Sequence, residues 1–340
     1  MRLSVLDQST IVAGTSPDAA IRESLVLARH AEALGYARYW VAEHHASLSQ
    51  AGTAPEILIA AIAATTSRIR VGSAGVMLPH YSALKVAEQF RVLEAVAPGR
   101  IDLGLGRAPG SDGLTAYALN PNADTAAEHF PAQVRDLLCW LAGTPLMEGH
   151  PFRNIVAQPQ GPMQPEVWIL GSSNYGAQVA AHFGLPYCFA HFITDGAGAE
   201  EAIGLYRHLY KPSARWPEPL AGICVWAVAA PTEAEADRLF SSRALWRLGR
   251  DRGVYAPLPT IAEALAYNYS DSERARTEAL RARAIVGTGE QVVGRLRALA
   301  GELGAEEVAV LTTVAEPEAR RLSYTLIAEA AGLTRVRQAA

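Results

Sequence analysis

Short apolar or β-branched runs alternate along the whole chain with longer stretches whose apolar positions recur at helical spacing. Leu3-Ser-Val-Leu6 reads as a first strand. Ser16-Pro17-Asp18 then starts a helix that runs to about Leu34 and stops at Gly35. The second strand is the run Arg38-Tyr-Trp-Val-Ala-Glu-His-His45, and the helix after Pro55 is apolar nearly all round. Such a helix is covered on both sides, by a second subunit or by another layer of the same chain. Strand three is Arg70 to Val76, with a helix from Ser82 to Ala97; strand four is Ile101 to Leu105. A long loop to Asn122 follows, then a helix from about Thr125 to Leu141. Strands five, six and seven are Val167–Leu170, Tyr187–Ala190 and Gly222–Val228, the first two followed by helices over Asn174–Phe183 and Glu200–Tyr210. Glu307 to Thr313 is the eighth strand, with helices over Glu290–Leu303 before it and Glu316–Ala331 after it.

Eight such alternations, with no mid-chain linker and no internal repeat, predict one α/β domain over residues 1–340, a single (β/α)8 TIM barrel. An open doubly wound sheet is the main rival. Insertions follow strands four and seven: residues 143–165 suggest a hairpin-like excursion. Residues from about 232 to 283, helical but interrupted by Pro257 and Pro259, form a candidate lid.

In a barrel the chemistry sits where strands end. That rule selects Asp7, His44, His45, Gly75, Arg107, Gly171 to Ser173 and His191. Because side chains alternate along a strand, His44 and His45 face opposite ways, and the residues alone do not say which one is chemical. Two glycine clusters, Gly104-Leu-Gly-Arg-Ala-Pro-Gly110 and Gly287 to Gly294, do not make a dinucleotide site. Pro109 stands where the first would need a helix, and no strong strand precedes the second. Val167-Trp-Ile-Leu-Gly-Ser-Ser-Asn-Tyr-Gly-Ala177 is a better anion cradle, since a strand passes at once into a helix N-terminus carrying two hydroxyls. Arg107 can add a forked cation to the same anion.

Composition narrows the partners. Half the residues are hydrophobic and the net charge is −4, so a large core is available and nucleic acid is not favoured. Cys139, Cys188 and Cys224 lie scattered in apolar segments, as buried free thiols do in a reducing compartment, and no metal site is expected. The N-terminus is too quickly polar for a signal peptide and no run reaches membrane-spanning length, so a cytoplasmic protein without a membrane partner is expected.

Six segments, taken together and in order, resemble the bacterial luciferase-like flavin monooxygenases, in their non-luminescent branch. They are Tyr39–His45, Val71–Tyr81, Lys85–Gln89, Gly99–Arg107, Gly171-Ser-Ser173 and Gly184-Leu-Pro-Tyr187. The resemblance implies a barrel that binds FMN as reduced FMNH2, captures O2 as a C4a-peroxyflavin and transfers one oxygen to an organic substrate. It matches His44 to the family's catalytic histidine, with an ordinary pKa suited to proton exchange at neutral pH. It matches Ala74-Gly75 to a non-prolyl cis peptide beneath the flavin ring, where glycine presents no side chain to collide with it. Arg107 and the backbone of Ser172 and Ser173 match the phosphate contacts, with Gly171 beside them in the cofactor site. Two positions depart from luciferase itself: Gly106 replaces a reactive cysteine, so no thiol chemistry at the flavin is expected. Gly176 replaces a hydroxyl residue and leaves only its N–H.

The chain has no convincing nicotinamide site, so a separate NAD(P)H:flavin reductase is implied as partner, and a homodimer is expected. Alternatives are an F420-dependent hydride transferase, a direct flavin reductase and a non-catalytic flavin-binding relative. Asp7, His45, His80, Tyr81 and His191 are candidate substrate contacts. Phe192, Trp226, Trp246 and Tyr255 suggest an apolar or aromatic substrate.

Overall fold

Strand β1 (Arg2–Asp7) leads into α1 (Pro17–Leu34), which proline opens and Gly35 closes in the left-handed region at φ 86°. The computed structural model, described for residues 1–333, continues the alternation. It runs β2 (Arg38–Val41), α2 (Pro55–Thr65), β3 (Arg70–Met77), α3 (Ala83–Val96) and β4 (Ile101–Gly106). After β4 come α4 (Gly113–Leu119), α5 (Ala123–Glu128), α6 (Phe130–Ala142), β5 (Glu166–Gly171) and α7 (Asn174–Phe183). Then follow β6 (Tyr187–Phe189), α8 (His191–Thr194), α9 (Ala199–Leu209), β7 (Ala221–Ala229), α10 (Glu233–Asp251), α11 (Ile261–Ala266) and α12 (Asp271–Arg283). The chain ends in β8 (Ile285–Gly287), α13 (Gly289–Leu303), β9 (Glu307–Leu311) and α14 (Pro317–Ala331). Positions 334–340 of the expected domain lie outside the described residues.

Strands β1 to β7 pair in parallel in sequence order, β7 pairs with β9, and β9 returns to β1. This closes the expected eight-stranded barrel and rules out the open sheet. The ninth strand, β8, lies beside Ala227–Ala229 of β7, beyond the residues that pair with β9. With only three residues, it carries too little pattern to stand out in the sequence.

The core has two layers. One fills the barrel and includes Leu6, Trp40, Ala42, Trp168, Cys188 and Cys224; the other lies between barrel and helices and includes Tyr39, Val41, Ile59, Phe90 and Ile169. At the N-terminal end of the barrel, Arg38 on β2 donates to Asp102 of β4 at 2.8 Å and to Glu166 of β5 at 3.0 Å. Arg70 on β3 reaches the same Asp102 at 2.6 Å, so buried charges tie four strands together away from the chemical end.

Several expectations change. The loop after strand four contains α4, whose N-cap Asp112 accepts from the Thr115 N–H at 2.9 Å. The single helix expected over Thr125–Leu141 is broken at His129, because Pro131 must sit in a first turn. Residues 143–165 form no hairpin strands. They are held by side chains instead: Arg91 donates to the Pro159 carbonyl at 2.6 Å and Arg153 to that of Leu146 at 2.9 Å. The second excursion is stitched to the β1–α1 loop, Leu258 N–H to Ile11 carbonyl and Ala13 N–H to Leu258 carbonyl, each at 2.8 Å. On α2, Leu58, Ile59 and Ile62 are buried against the protein, whereas Ile57 remains 68% exposed.

Candidate active site

A cavity of about 460 Å³ opens at the C-terminal end of the barrel, and residues from the ends of β2 to β7 converge on it. Strand β2 ends at Val41, four residues short of the expected His45, yet its two-residue alternation persists beyond the last ladder bond. Trp40, Ala42 and His44 line the cavity, while Tyr39 and Val41 face the helices and Glu43 and His45 face away. The backbone that holds this extension bonds to loops: His44 N–H to the Gly52 carbonyl at 2.8 Å and His45 N–H to that of Gly110 at 3.3 Å.

The two histidines therefore have distinct surroundings. His44 Nδ1 is buried and has no hydrogen-bond partner among the described residues. Burial, with the nearby positive charge of Arg250, pushes its pKa down to about 4. This corrects the expectation of an ordinary value: the imidazole is neutral at pH 7 and is available there as a proton acceptor or a neutral donor. His45 instead pairs with the buried carboxylate of Glu43 at 2.7 Å, which also accepts from the Tyr81 hydroxyl at 2.7 Å and the Met77 N–H at 3.1 Å.

The other candidate substrate contacts lie off this cavity. Asp7 is fully buried and accepts from Arg320 at 2.7 Å, Tyr39 at 2.6 Å and the Ser9 N–H at 2.9 Å, a structural network. His80 contacts the Pro109 carbonyl at 2.7 Å, and His191 opens on a separate small cleft with Asp195. Asp7, His45, His80, Tyr81 and His191 are thus not brought to the cavity wall.

Its polar rim comes from β4, β5 and α7. Arg107 leaves β4 and stacks 3.9 Å over the ring of Tyr175, the second residue of α7. Ser173 occupies the N-cap of α7, yet its side chain makes no capping hydrogen bond. Gly171, Ser172 and Gly176 line the same wall, so helix-terminal N–H groups and hydroxyls remain open to an anion. On the neighbouring strand β3, the Ala74–Gly75 peptide is cis and both residues line the cavity. A Cβ on Gly75 would come within 2.7 Å of the Gly104 carbonyl oxygen and of Leu170, so the glycine is required by the neighbouring strands.

Sequence reasoning missed several lining residues. Gln8, Gln50, Ile193 and Arg250 come from loops or from helices whose docking no local pattern encodes, whereas Phe192, expected near the substrate, does line the cavity. Cys188 and Cys224 also reach the cavity, from β6 and β7, so thiols are present although Gly106 carries none. Burial pushes both thiols well above their ordinary range and keeps them protonated, as apolar lining. Cys139 is half-buried. Among the described residues no group of three or more His, Cys, Asp or Glu side chains could hold a metal ion, and no helix is long and apolar enough to cross a membrane.

A closed parallel barrel with its polar and apolar groups gathered at the C-terminal mouth is an enzyme architecture, and comparison with known proteins gives it a family. The model of the luciferase-like monooxygenases matches residues 1–307, and the chain belongs to that family of oxidoreductases. It is 45% identical over 331 residues to the uncharacterized protein YwcH of Bacillus subtilis (strain 168), covering 96% of this chain and 98% of the relative. It is 34% identical over 333 residues to the N-acetyl-S-alkylcysteine monooxygenase of the same organism, covering 97% and 98%. Among solved structures, apo-MsnO8 superposes with a TM-score of 0.90 at 38% identity, covering 98% of this chain and 99% of that one.

Proposed function

We propose that this enzyme is the oxygenating component of a two-component system, using FMN supplied in reduced form by a separate NAD(P)H:flavin reductase. The carrying observation is that one cavity gathers His44, Ala74-Gly75, Arg107 and the Ser172-Ser173 helix start, although they lie on β2, β3, β4 and β5–α7. Their donor set fits this group: an uncapped helix terminus and a guanidinium suit a phosphate, and Ala74 and Gly75 put only small residues on the wall where a ring would lie.

When bound, reduced FMN supplies the activation of O2 for transfer of one oxygen atom to an organic substrate. The protein's own part is positioning, exclusion of water and control of a proton. Arg107, Ser172, Ser173 and the N–H of Gly176 would hold the phosphate. Tyr175 supports the Arg107 guanidinium from beneath. Leu6, Trp40 and Leu170 keep the inner end of the cavity apolar, and neutral His44 accepts or returns a proton there. The Bacillus subtilis relative named N-acetyl-S-alkylcysteine monooxygenase supports the reaction class. We also propose a homodimer that covers Ile57 and the outer face of α2.

The test is turnover with FMNH2 generated by a separate reductase under ¹⁸O2, across a panel of small organic substrates. One labelled oxygen per product molecule is expected. Product without label, or nicotinamide oxidation by this chain alone, would contradict the proposal.

A further inference from the structure

Helix α10 carries Arg243, Arg247 and Arg250 at i, i+4 and i+7, one face of the helix. That face opens on a second cavity of about 250 Å³, which shares Gln8, Phe192, Ile193 and Arg250 with the first. Trp226, Trp246 and Tyr255 supply its aromatic wall, and Gln8 and Thr313 add neutral polar groups.

The charges here do not balance. Arg247 pairs with Asp195 at 3.3 Å, and the nearby Asp251 is taken by Arg276 at 2.8 Å. Arg250, exposed at the mouth, stacks 4.8 Å from Trp246 and has no ion pair among the described residues. Arg243 is only 6% exposed and stacks 4.1 Å over Trp226, yet it makes no hydrogen bond or ion pair with any described residue. Its guanidinium faces the cavity with no direct acceptor; Asp195, already paired with Arg247, attracts it only from a distance, and the like charge four residues away opposes its burial. Packing alone would be served as well by methionine or leucine. The arrangement makes sense if an anion completes it.

We propose that this second cavity is the acid pocket for the substrate: Arg243, assisted by Arg250, binds the carboxylate of an organic acid whose apolar body extends along Trp226 and Phe192 toward His44. The inference rests on the reading of the first cavity as the flavin site. A carboxylate is favoured over a phosphate because a single buried guanidinium fork matches two carboxylate oxygens, and the helix terminus suited to a phosphate dianion lies in the other cavity. The enzyme would therefore select substrates that are apolar at the reacting end and anionic at the other.

Ligand-observed NMR titration of the full flavin-free chain tests this without turnover, using phenylacetate and its neutral isostere phenylacetamide. The acid is expected to bind about ten- to a hundredfold more tightly than the amide. Arg243→Gln should erase that preference, and Arg243→Lys should restore part of it. Equal binding of acid and amide by the wild-type chain overturns the proposal whatever the variants do, as does no binding of the acid. Inorganic phosphate competing as strongly as phenylacetate would show a general anion site and also overturns it. FMN and riboflavin titrated into Arg243→Gln separate the two readings. A selective loss of FMN would place the flavin phosphate at Arg243, contradicting both. Unchanged FMN binding with loss of the acid preference supports the acid pocket.

Discussion

The Arg107 guanidinium lies 3.9 Å over the ring of Tyr175, so the end of β4 and the start of α7 are held together as one unit. If that unit holds a phosphate, Arg107→Ala should weaken FMN by roughly 1.5–3 kcal/mol, or about ten- to a hundredfold, while riboflavin loses little. Tyr175→Ala should act in the same direction but more weakly, about 0.5–1 kcal/mol for a lost cation–π contact. Fluorescence titration with the two flavins measures both, and equal losses for FMN and riboflavin would place the phosphate elsewhere.

His44→Ala should leave FMN binding intact and lower product formation by roughly 10²- to 10⁴-fold, the usual contribution of a positioned acid or base. His45→Ala acts through a different route, since it frees the buried Glu43 carboxylate from one partner. Its effect should be lower stability, with the retained native fraction still forming product. Single-turnover product yields normalised to bound FMN distinguish the two variants.

The pKa of His44 is lowered to about 4 in the folded protein, against an ordinary 6.5. Between those values the unfolded chain binds a proton that the native site refuses, so stability falls as pH drops through this window. His44 contributes up to about 3 kcal/mol to that loss. Urea unfolding of wild type and His44→Asn at a series of pH values checks it. The variant should show a flatter dependence below pH 6.5, and the activity of the wild type should show no titration of His44 between about pH 6 and 8.

Asp7 is a structural anion. Its carboxyl is buried, and although desolvation opposes ionisation, Arg320, Ser24 and Tyr39 together hold its pKa below the ordinary 3.8. Arg320→Ala should destabilise the fold by about 3–5 kcal/mol, because it leaves that charge unpaired. FMN affinity per folded molecule should be unchanged. A selective loss of FMN binding without loss of stability would place Asp7 and Arg320 in the active site after all.

The barrel was legible because parallel strands buried on both faces read as apolar runs, and helix stops such as Gly35 are local signals. Strand alternation correctly divided His44 from His45, since Trp40, Ala42 and His44 share one face even after the ladder ends. The resemblance then supports the proposal that the His44 face is the chemical one. Other features depend on tertiary placement. The depressed pKa of His44 arises from burial and from Arg250, roughly two hundred positions away on a helix whose docking no local pattern encodes. The candidate substrate contacts lie off the cavity wall for the same reason: a polar residue at a strand end can satisfy a buried partner, as His45 and Tyr81 do for Glu43. The three arginines of α10 went unremarked in the sequence; they share one helix face, and only the lack of a direct acceptor for Arg243 among the described residues gives that set its meaning.

An anaerobic equilibrium titration of the wild-type chain with reduced FMN, reduced riboflavin and reduced F420 tests whether this barrel is an FMN site. Reduced FMN should bind most tightly, with riboflavin weaker by the contribution of the phosphate held at Arg107 and the Ser172-Ser173 helix start. Tighter binding of reduced F420, or no difference between reduced FMN and riboflavin, would contradict it.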